Sequence, residues 1–313
     1  MCNSCEIKTY SKACVIAGNG PSLANIDYSL LPKDFEVFRA NQFFFEDKYF
    51  LGKSIKCAFI NGIFNLPTSH LTLHTLKQKD EYKIDYLMCI QPGVIVGGGA
   101  TQNTLSFFPD VMDGCEYIKM LSVFNNSIMF NYIHKDQAIT TGVYMVAVAV
   151  ALGYKELYIV GIDLYRDGGK YAFSMKDKPN FFSLGFDKEC KPADWHNAQT
   201  DIDALKLLEK EYGVKIYILS ESCPLKEYFP LAPRVNDLDS SFVKPKPTNF
   251  INDVVKITPK DLARINWVLS GDYLSRQDLA EIRRILKISK IILYPLVILK
   301  RFINKMRRFA WKS

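Results

Sequence analysis

A short apolar run, Ala13 to Ala17, ends in Gly18-Asn19-Gly20-Pro21-Ser22, residue types that let a backbone approach a phosphate closely. The apolar run reads as a buried strand and the glycines as a tight turn behind it. The segment is not a dinucleotide fingerprint, because Leu23 stands where a third glycine is needed, and no phosphate-loop lysine follows. Ser22 is placed to cap a following helix whose N–H groups would face an anion. Alone, the segment argues weakly for a nucleotide, with a structural turn as the equal alternative. Asn41 and Gln42 stand where a strand gives way to a loop, a place for side-chain amides to read a base or sugar edge. Ile139-Thr140-Thr141-Gly142 opens an apolar helix, and in isolation Thr140 or Thr141 reads as its N-cap. Asp163 and Tyr165 close Val160-Gly161-Ile162-Asp163-Leu164-Tyr165, and Tyr171 follows across a Gly-rich turn. Phenols so spaced can donate to a leaving oxygen or simply pack. His196 is one of four histidines. Its near-neutral pKa suits it to accept a hydroxyl proton, although a lone histidine ahead of a helix is more often a cap or surface residue.

Metal chemistry finds little support. Cys2 and Cys5 form a single CxxC with no second pair. His70 and His74 are spaced i, i+4 without the glutamate and third ligand of a zinc protease, so a helix-surface pair is expected. Asp201-Ile202-Asp203 has the form of a DxD motif but falls in the first turn of a helix, where the dipole favours acids.

The elements that must carry these residues alternate. Short apolar runs at residues 55–60, 86–90, 157–160 and 214–219 resemble the first, each close to turn residues. Helical stretches cover 141–152, closing at Gly153, and 201–212, closing at Gly213. Alternation of this kind predicts an α/β fold with a mostly parallel sheet. Residues 166–198 lack either period and sit between a strand end and a helix start, the place for an active-site lid. Residues 222–260 read as irregular connection.

Charge divides the chain of 313 residues. Residues 250–313 hold 14 Lys/Arg against 5 Asp/Glu, leaving 26 against 28 in residues 1–249. A near-neutral body argues against nucleic-acid binding, and a basic tail suits an anionic surface. Within the tail, residues 291–299 are apolar but too few to span a bilayer, which needs about 20. Flanked by basic residues, with Phe302, Phe309 and Trp311 nearby, they suit an interfacial helix on anionic lipid, the alternative being a helix docked on the protein's own core. The eight cysteines are scattered through apolar runs like reduced core thiols, and residues 1–10 hold no secretory h-region. A cytoplasmic location is expected.

Taken together and in order, AGNGPSL, NQFxFEDKYxLG, ITxGVYM, ALGYKE and GIDxY resemble family 42 of the glycosyltransferases, the bacterial lipooligosaccharide sialyltransferases. The resemblance runs from about Ala13 to about Leu219. It implies a Rossmann-like GT-A variant with a catalytic domain at 11–249, a small lid at about 164–198 and a basic C-terminal extension at 250–313. The implied reaction is inverting transfer of sialic acid from CMP-sialic acid to a terminal galactose or sialic acid of a glycolipid, with no cofactor and no metal. By position, Asn19 and Gly20 face the nucleotide and its phosphate. Asn41, beside Gln42, serves the phosphate region and Asn61 the donor sugar, while Thr141, flanked by Thr140 and Gly142, stands in the donor-carboxylate pocket. Asp163 belongs to the nucleotide pocket, Tyr165 and Tyr171 hold the leaving phosphate, and His196 is the general base. The family also implies a homo-oligomer, often a tetramer. With the basic tail it implies a peripheral seat on the inner face of the bacterial inner membrane.

Three positions depart from the family pattern. Ala138 stands where an arginine is common, Ala193 where a tyrosine often precedes the histidine, and Gly62 rather than proline follows Asn61. They bear on acceptor and linkage more than on donor class. Two other readings keep the nucleotide pocket: transfer of another CMP-activated nonulosonic acid or Kdo, and a membrane-docked nucleotide-binding scaffold without catalysis.

Overall fold

The computed structural model describes residues 12–90, 105, 108–166, 171–173, 196–235 and 241–246. The N-terminal CxxC, Cys190, most of the expected lid and the basic C-terminal extension lie outside the described residues. Seven strands form one sheet: β1 Ala13–Ala17, β2 Glu36–Ala40, β3 Ser54–Asn61, β4 Lys83–Ile90, β5 Val111–Asp113, β6 Glu156–Val160 and β7 Lys215–Ile218. Their order is β5-β4-β3-β2-β1-β6-β7, and every pairing is parallel. Among the described residues five helices accompany them: α1 Gly62–Gln78, α2 Gly114–Met120, α3 Ser122–Lys135, α4 Thr141–Ala151 and α5 Ala198–Tyr212. The expected α/β fold with a parallel sheet is what the chain adopts.

Central position explains why β1 is apolar throughout. Cys14 and Ile16 enter one core, while Ala13, Val15 and Ala17 enter the other. A strand covered on both faces cannot alternate with polar residues. Helix α4 lies on the first face against β1, β2 and β3, flanked by α2 and α5. Every residue from Gly142 to Val150 is buried, as expected of a helix apolar all round. Val143, Val146 and Val148 are fully enclosed, each worth about 1.5–3 kcal/mol of burial. Helix α1 covers β3 and β4, and among the described residues no helix is long and apolar enough to cross a membrane. Cys14, Cys57, Cys89, Cys115 and Cys223 are free thiols.

On the other face an ion pair is sealed inside the protein. Arg39 of β2 and Glu46 approach to 2.8 Å with both side chains fully buried. Glu46 also accepts the Tyr82 hydroxyl at 2.8 Å. Lys246 donates to that hydroxyl at 2.6 Å and to the Phe44 carbonyl at 2.7 Å. The stretch carrying Lys246 pairs antiparallel with the chain at Lys48 through Pro245, and the Tyr49 N–H donates to the Lys244 carbonyl at 2.8 Å. Within the stretch 222–260, expected to be irregular, the described residues 244–246 thus form a strap with defined partners.

Candidate active site

Strands β2 to β5 extend the sheet on one side of β1, and the chain then crosses back to lay β6 on the other. A reversal of this kind opens a crevice beyond the carboxyl ends of the two central strands, where ligands of parallel α/β sheets bind. The loop after β1 and the loop after β6 face each other across it. Gly18 donates its N–H to Val160 O at 2.9 Å, and Gly20 to Gly161 O at 2.9 Å. The fit is as tight as backbone allows. A Cβ on Gly18 would come within 2.1 Å of Gly161 O, and one on Gly20 within 2.4 Å of Asp163 Oδ2.

Gly161 has φ +68°, and a Cβ there would meet Gly18 O at 2.5 Å. Gly213, at the end of α5, has φ +61° but nothing within 4 Å. Alanine at 213 therefore pays only left-handed strain, about 1–2 kcal/mol. We expect Gly161→Ala to cost clearly more than Gly213→Ala in urea unfolding. Equal costs would mean that the two loops are not in contact.

Ser22 does not cap a long helix. Its hydroxyl donates to Asp163 Oδ1 at 2.5 Å and accepts the Gly161 N–H at 2.8 Å, while its own N–H donates to Asp163 Oδ2 at 2.8 Å. The turn it enters is a single turn of 3-10 helix, Pro21–Asn25. Asp163, expected in the nucleotide pocket, ties the loop after β6 to the loop after β1 through Ser22. Asn19 donates to Ala40 O at 2.9 Å, and its buried Oδ1 has no hydrogen-bond partner among the described residues. A buried acceptor left so costs about 1–3 kcal/mol until a donor meets it. Asn41 takes the left-handed conformation, φ 49°, and its Oδ1 accepts the Asn61 N–H at 2.8 Å. Asn61 is exposed at the end of β3, whereas Gln42 is buried and opens the turn Phe43–Phe45.

The far wall carries the titratable groups. Leu164 and Tyr165 are consecutive left-handed residues, φ 53° and 54°, a strained conformation of the kind that gathers at functional sites. Tyr165 remains 38% exposed and its ring stacks on His196, centroids 6.1 Å apart and planes inclined by 19°. His196 Nδ1 lies 3.0 Å from the Ala138 carbonyl. A carbonyl accepts only, so Nδ1 carries the proton and Nε2 the basic lone pair. Burial holds the His196 pKa below its usual value, against the opposing effect of the bond to Ala138. Tyr171 lies beside Phe173, ring centroids 5.6 Å apart, and the Ala172 N–H donates to Asn19 O at 2.8 Å. Gly142 lets α4 begin against Ile162, whose Cδ1 would lie 2.7 Å from a Cβ there. The fold therefore gathers Asn19, Gly20, Asn41, Asn61, Gly142, Asp163, Tyr165, Tyr171 and His196 at the carboxyl end of the sheet.

Thr140 precedes α4 without its side chain capping the helix, contrary to the reading of it as an N-cap. Its N–H and hydroxyl both donate to Asp201, at 2.8 and 2.7 Å. Asp201 lies in the first turn of α5, as expected. It is also 1% exposed, and burial raises its pKa to about 7. Asp203 is exposed and bonds Gln199, so the two acids diverge. Among the described residues no three His, Cys, Asp or Glu side chains form a metal-binding group. His70 bonds Asp110 at 2.9 Å, while His74 is exposed.

A family model described as Alpha-2,3-sialyltransferase (CST-I) matches residues 12–295. The chain belongs to this sialyltransferase family. Monofunctional alpha-2,3-sialyltransferase Cst-I from Campylobacter jejuni is 36% identical, with TM-score 0.76 over 87% of this chain and 99% of that one. CstII from Campylobacter jejuni, solved with the substrate analogue CMP-3FNeuAc, is 40% identical with TM-score 0.69 over 81% and 98%. A CST-II sialyltransferase solved with a trisaccharide acceptor and CMP is 40% identical with TM-score 0.68 over 80% and 98%. The resemblance carried by the five sequence motifs is thus borne out, and this sialyltransferase-family chain is an enzyme. Ala138, where the family pattern has arginine, contributes its backbone carbonyl to the histidine, a contact that any residue there would supply.

Proposed function

We propose that this enzyme transfers sialic acid from CMP-sialic acid, with inversion and without a metal, to a terminal galactose or sialic acid of a lipooligosaccharide-type glycan. The observation that carries the reading is His196, with Nε2 made basic by the Ala138 carbonyl and its ring stacked on Tyr165 beside the crevice. The acceptor hydroxyl oxygen forms the new bond to the anomeric carbon of sialic acid. The bond from that carbon to the CMP phosphate breaks, and Nε2 takes the hydroxyl proton. Tyr165 and Tyr171 stabilise the phosphate as it leaves, neutral phenol donors serving where other transferases use a cation. The unpartnered Asn19 Oδ1 favours a ligand that brings an N–H or O–H into the crevice. The basic segment beyond residue 250 supports a peripheral seat on anionic lipid at the cytoplasmic face of the inner membrane.

Incubation with CMP-sialic acid and lactose is expected to yield free CMP and sialyllactose, with the linkage read by linkage-specific sialidases and unchanged yield in chelator. Transfer only from another CMP-sugar in a donor panel would change the sugar assignment, and CMP binding without any product would leave a scaffold.

A further inference from the structure

Residues 137–140 and 196–201 lie far apart in sequence and are joined by four polar contacts. His196 Nδ1–H donates to Ala138 O at 3.0 Å. The Thr200 hydroxyl donates to Gln137 Oε1 at 3.1 Å. Thr140 donates twice to Asp201. From this geometry we infer that Asp201 is a positioning residue for the base: by clamping Thr140 it holds the Ala138 carbonyl on His196 and so sets the tautomer and aim of the imidazole. The inference rests on the reading of His196 as the base.

The reasons are structural. Ala138 lies two residues before Thr140, in a stretch outside regular secondary structure and paired with His196 through an isolated parallel bridge. Asp201 is the one carboxyl group among the four contacts, and it takes part in two of them. It belongs to α5, whose first turn it anchors through its own N–H to Asn197 O at 3.3 Å. His196 sits immediately before that helix. One buried carboxylate thus ties the segment that orients the histidine to the element that carries it. A hydrogen bond to a buried charged group is worth about 1.5–3 kcal/mol, more than the neutral Thr200–Gln137 contact supplies. Burial raises Asp201 to about 7, and the clamp works in either protonation state. The Thr140 hydroxyl donates to a carboxylate or accepts from a carboxylic acid, while the backbone N–H always has an oxygen to meet.

The test uses the full chain labelled with 15N-histidine, His196→Ala serving to assign the resonance. Wild type and Asp201→Asn, whose amide reproduces both contacts, are expected to show His196 in the single Nδ1–H tautomer and to retain turnover. Asp201→Ala is expected to show mixed tautomers and a kcat about 10²-fold lower, the cost of a small misplacement of a reacting group. If Asp201→Ala does not fold, the double variant Thr140→Val, Thr200→Val removes two of the contacts at nearly constant volume and is expected to move both readouts the same way. A single tautomer with wild-type kcat in whichever of these variants folds overturns the inference. A fully active His196→Ala overturns instead the reading of the base on which it rests.

Discussion

Replacing His196 with alanine is expected to lower kcat for sialyl transfer by about 10²–10⁴-fold, the usual contribution of a positioned general base, while CMP binding persists. The separation follows from placement. His196 precedes α5 and meets Tyr165 and Ala138, whereas the loops that would take the nucleotide are held by Gly18, Gly20, Ser22, Gly161 and Asp163, none of which depends on the imidazole. The pH dependence has a definite sign. Burial is the larger influence and lowers the His196 pKa from 6.5. The neutral, proton-accepting form therefore persists below that pH, and the acid limb of kcat/KM is expected below 6.5. Initial rates with lactose across pH, with calorimetric titration of CMP, check both halves. Turnover like wild type in the variant would remove His196 from the mechanism.

Arg39→Met is expected to destabilise the protein by about 3–5 kcal/mol, because it strands a buried carboxylate. Arg39 and Glu46 are both fully buried 2.8 Å apart, yet their approach lacks hydrogen-bond alignment, and Arg39 Nε and Nη1 find no acceptor among the described residues. Such a pair adds little net stability, but losing one member is costly. Among the described residues Glu46 then keeps the Tyr82 hydroxyl, which Lys246 already occupies from its other side. Adding Glu46→Gln, which keeps the acceptor for Tyr82 and removes the charge, is expected to recover part of the loss. Guanidinium unfolding of the two single variants and the double gives the coupling. A loss under about 1 kcal/mol for Arg39→Met, the range of exposed pairs, would mean that water reaches Glu46.

Legibility in the sequence followed the strength of the pattern. Strand β1 appears at the residues where its apolar run stands, because a strand buried on both faces has no polar residue to blur its ends. Helix α5 begins at Ala198 rather than Asp201, since its polar first turn carries no apolar period. Helices α2 and α3 gave no clear signal: Met120, Val123, Phe130 and Ile133 are large apolar side chains left exposed, which spoils the contrast between faces. The burial of Asp201 is written in its spacing. The residue stands four and seven residues before Leu205 and Leu208, both buried, and so shares the inward face of α5.

The candidate residues could be picked out in the linear chain by type, as glycines that permit close backbone approach, a histidine ahead of a helix and two tyrosines across a Gly-rich turn, while the roles proposed for them came from the resemblance of the ordered motifs. Their working relations could not be read there. That Ser22 serves Asp163, that Thr140 serves Asp201, and that a backbone carbonyl at Ala138 chooses the protonated nitrogen of His196 depend on pairs 58 to 141 residues apart in sequence. Local pattern carries no information on which buried donor will meet which acceptor. That is decided only when the crossover from β5 to β6 brings the two loops together and Ser22, Gly161 and Asp163 meet.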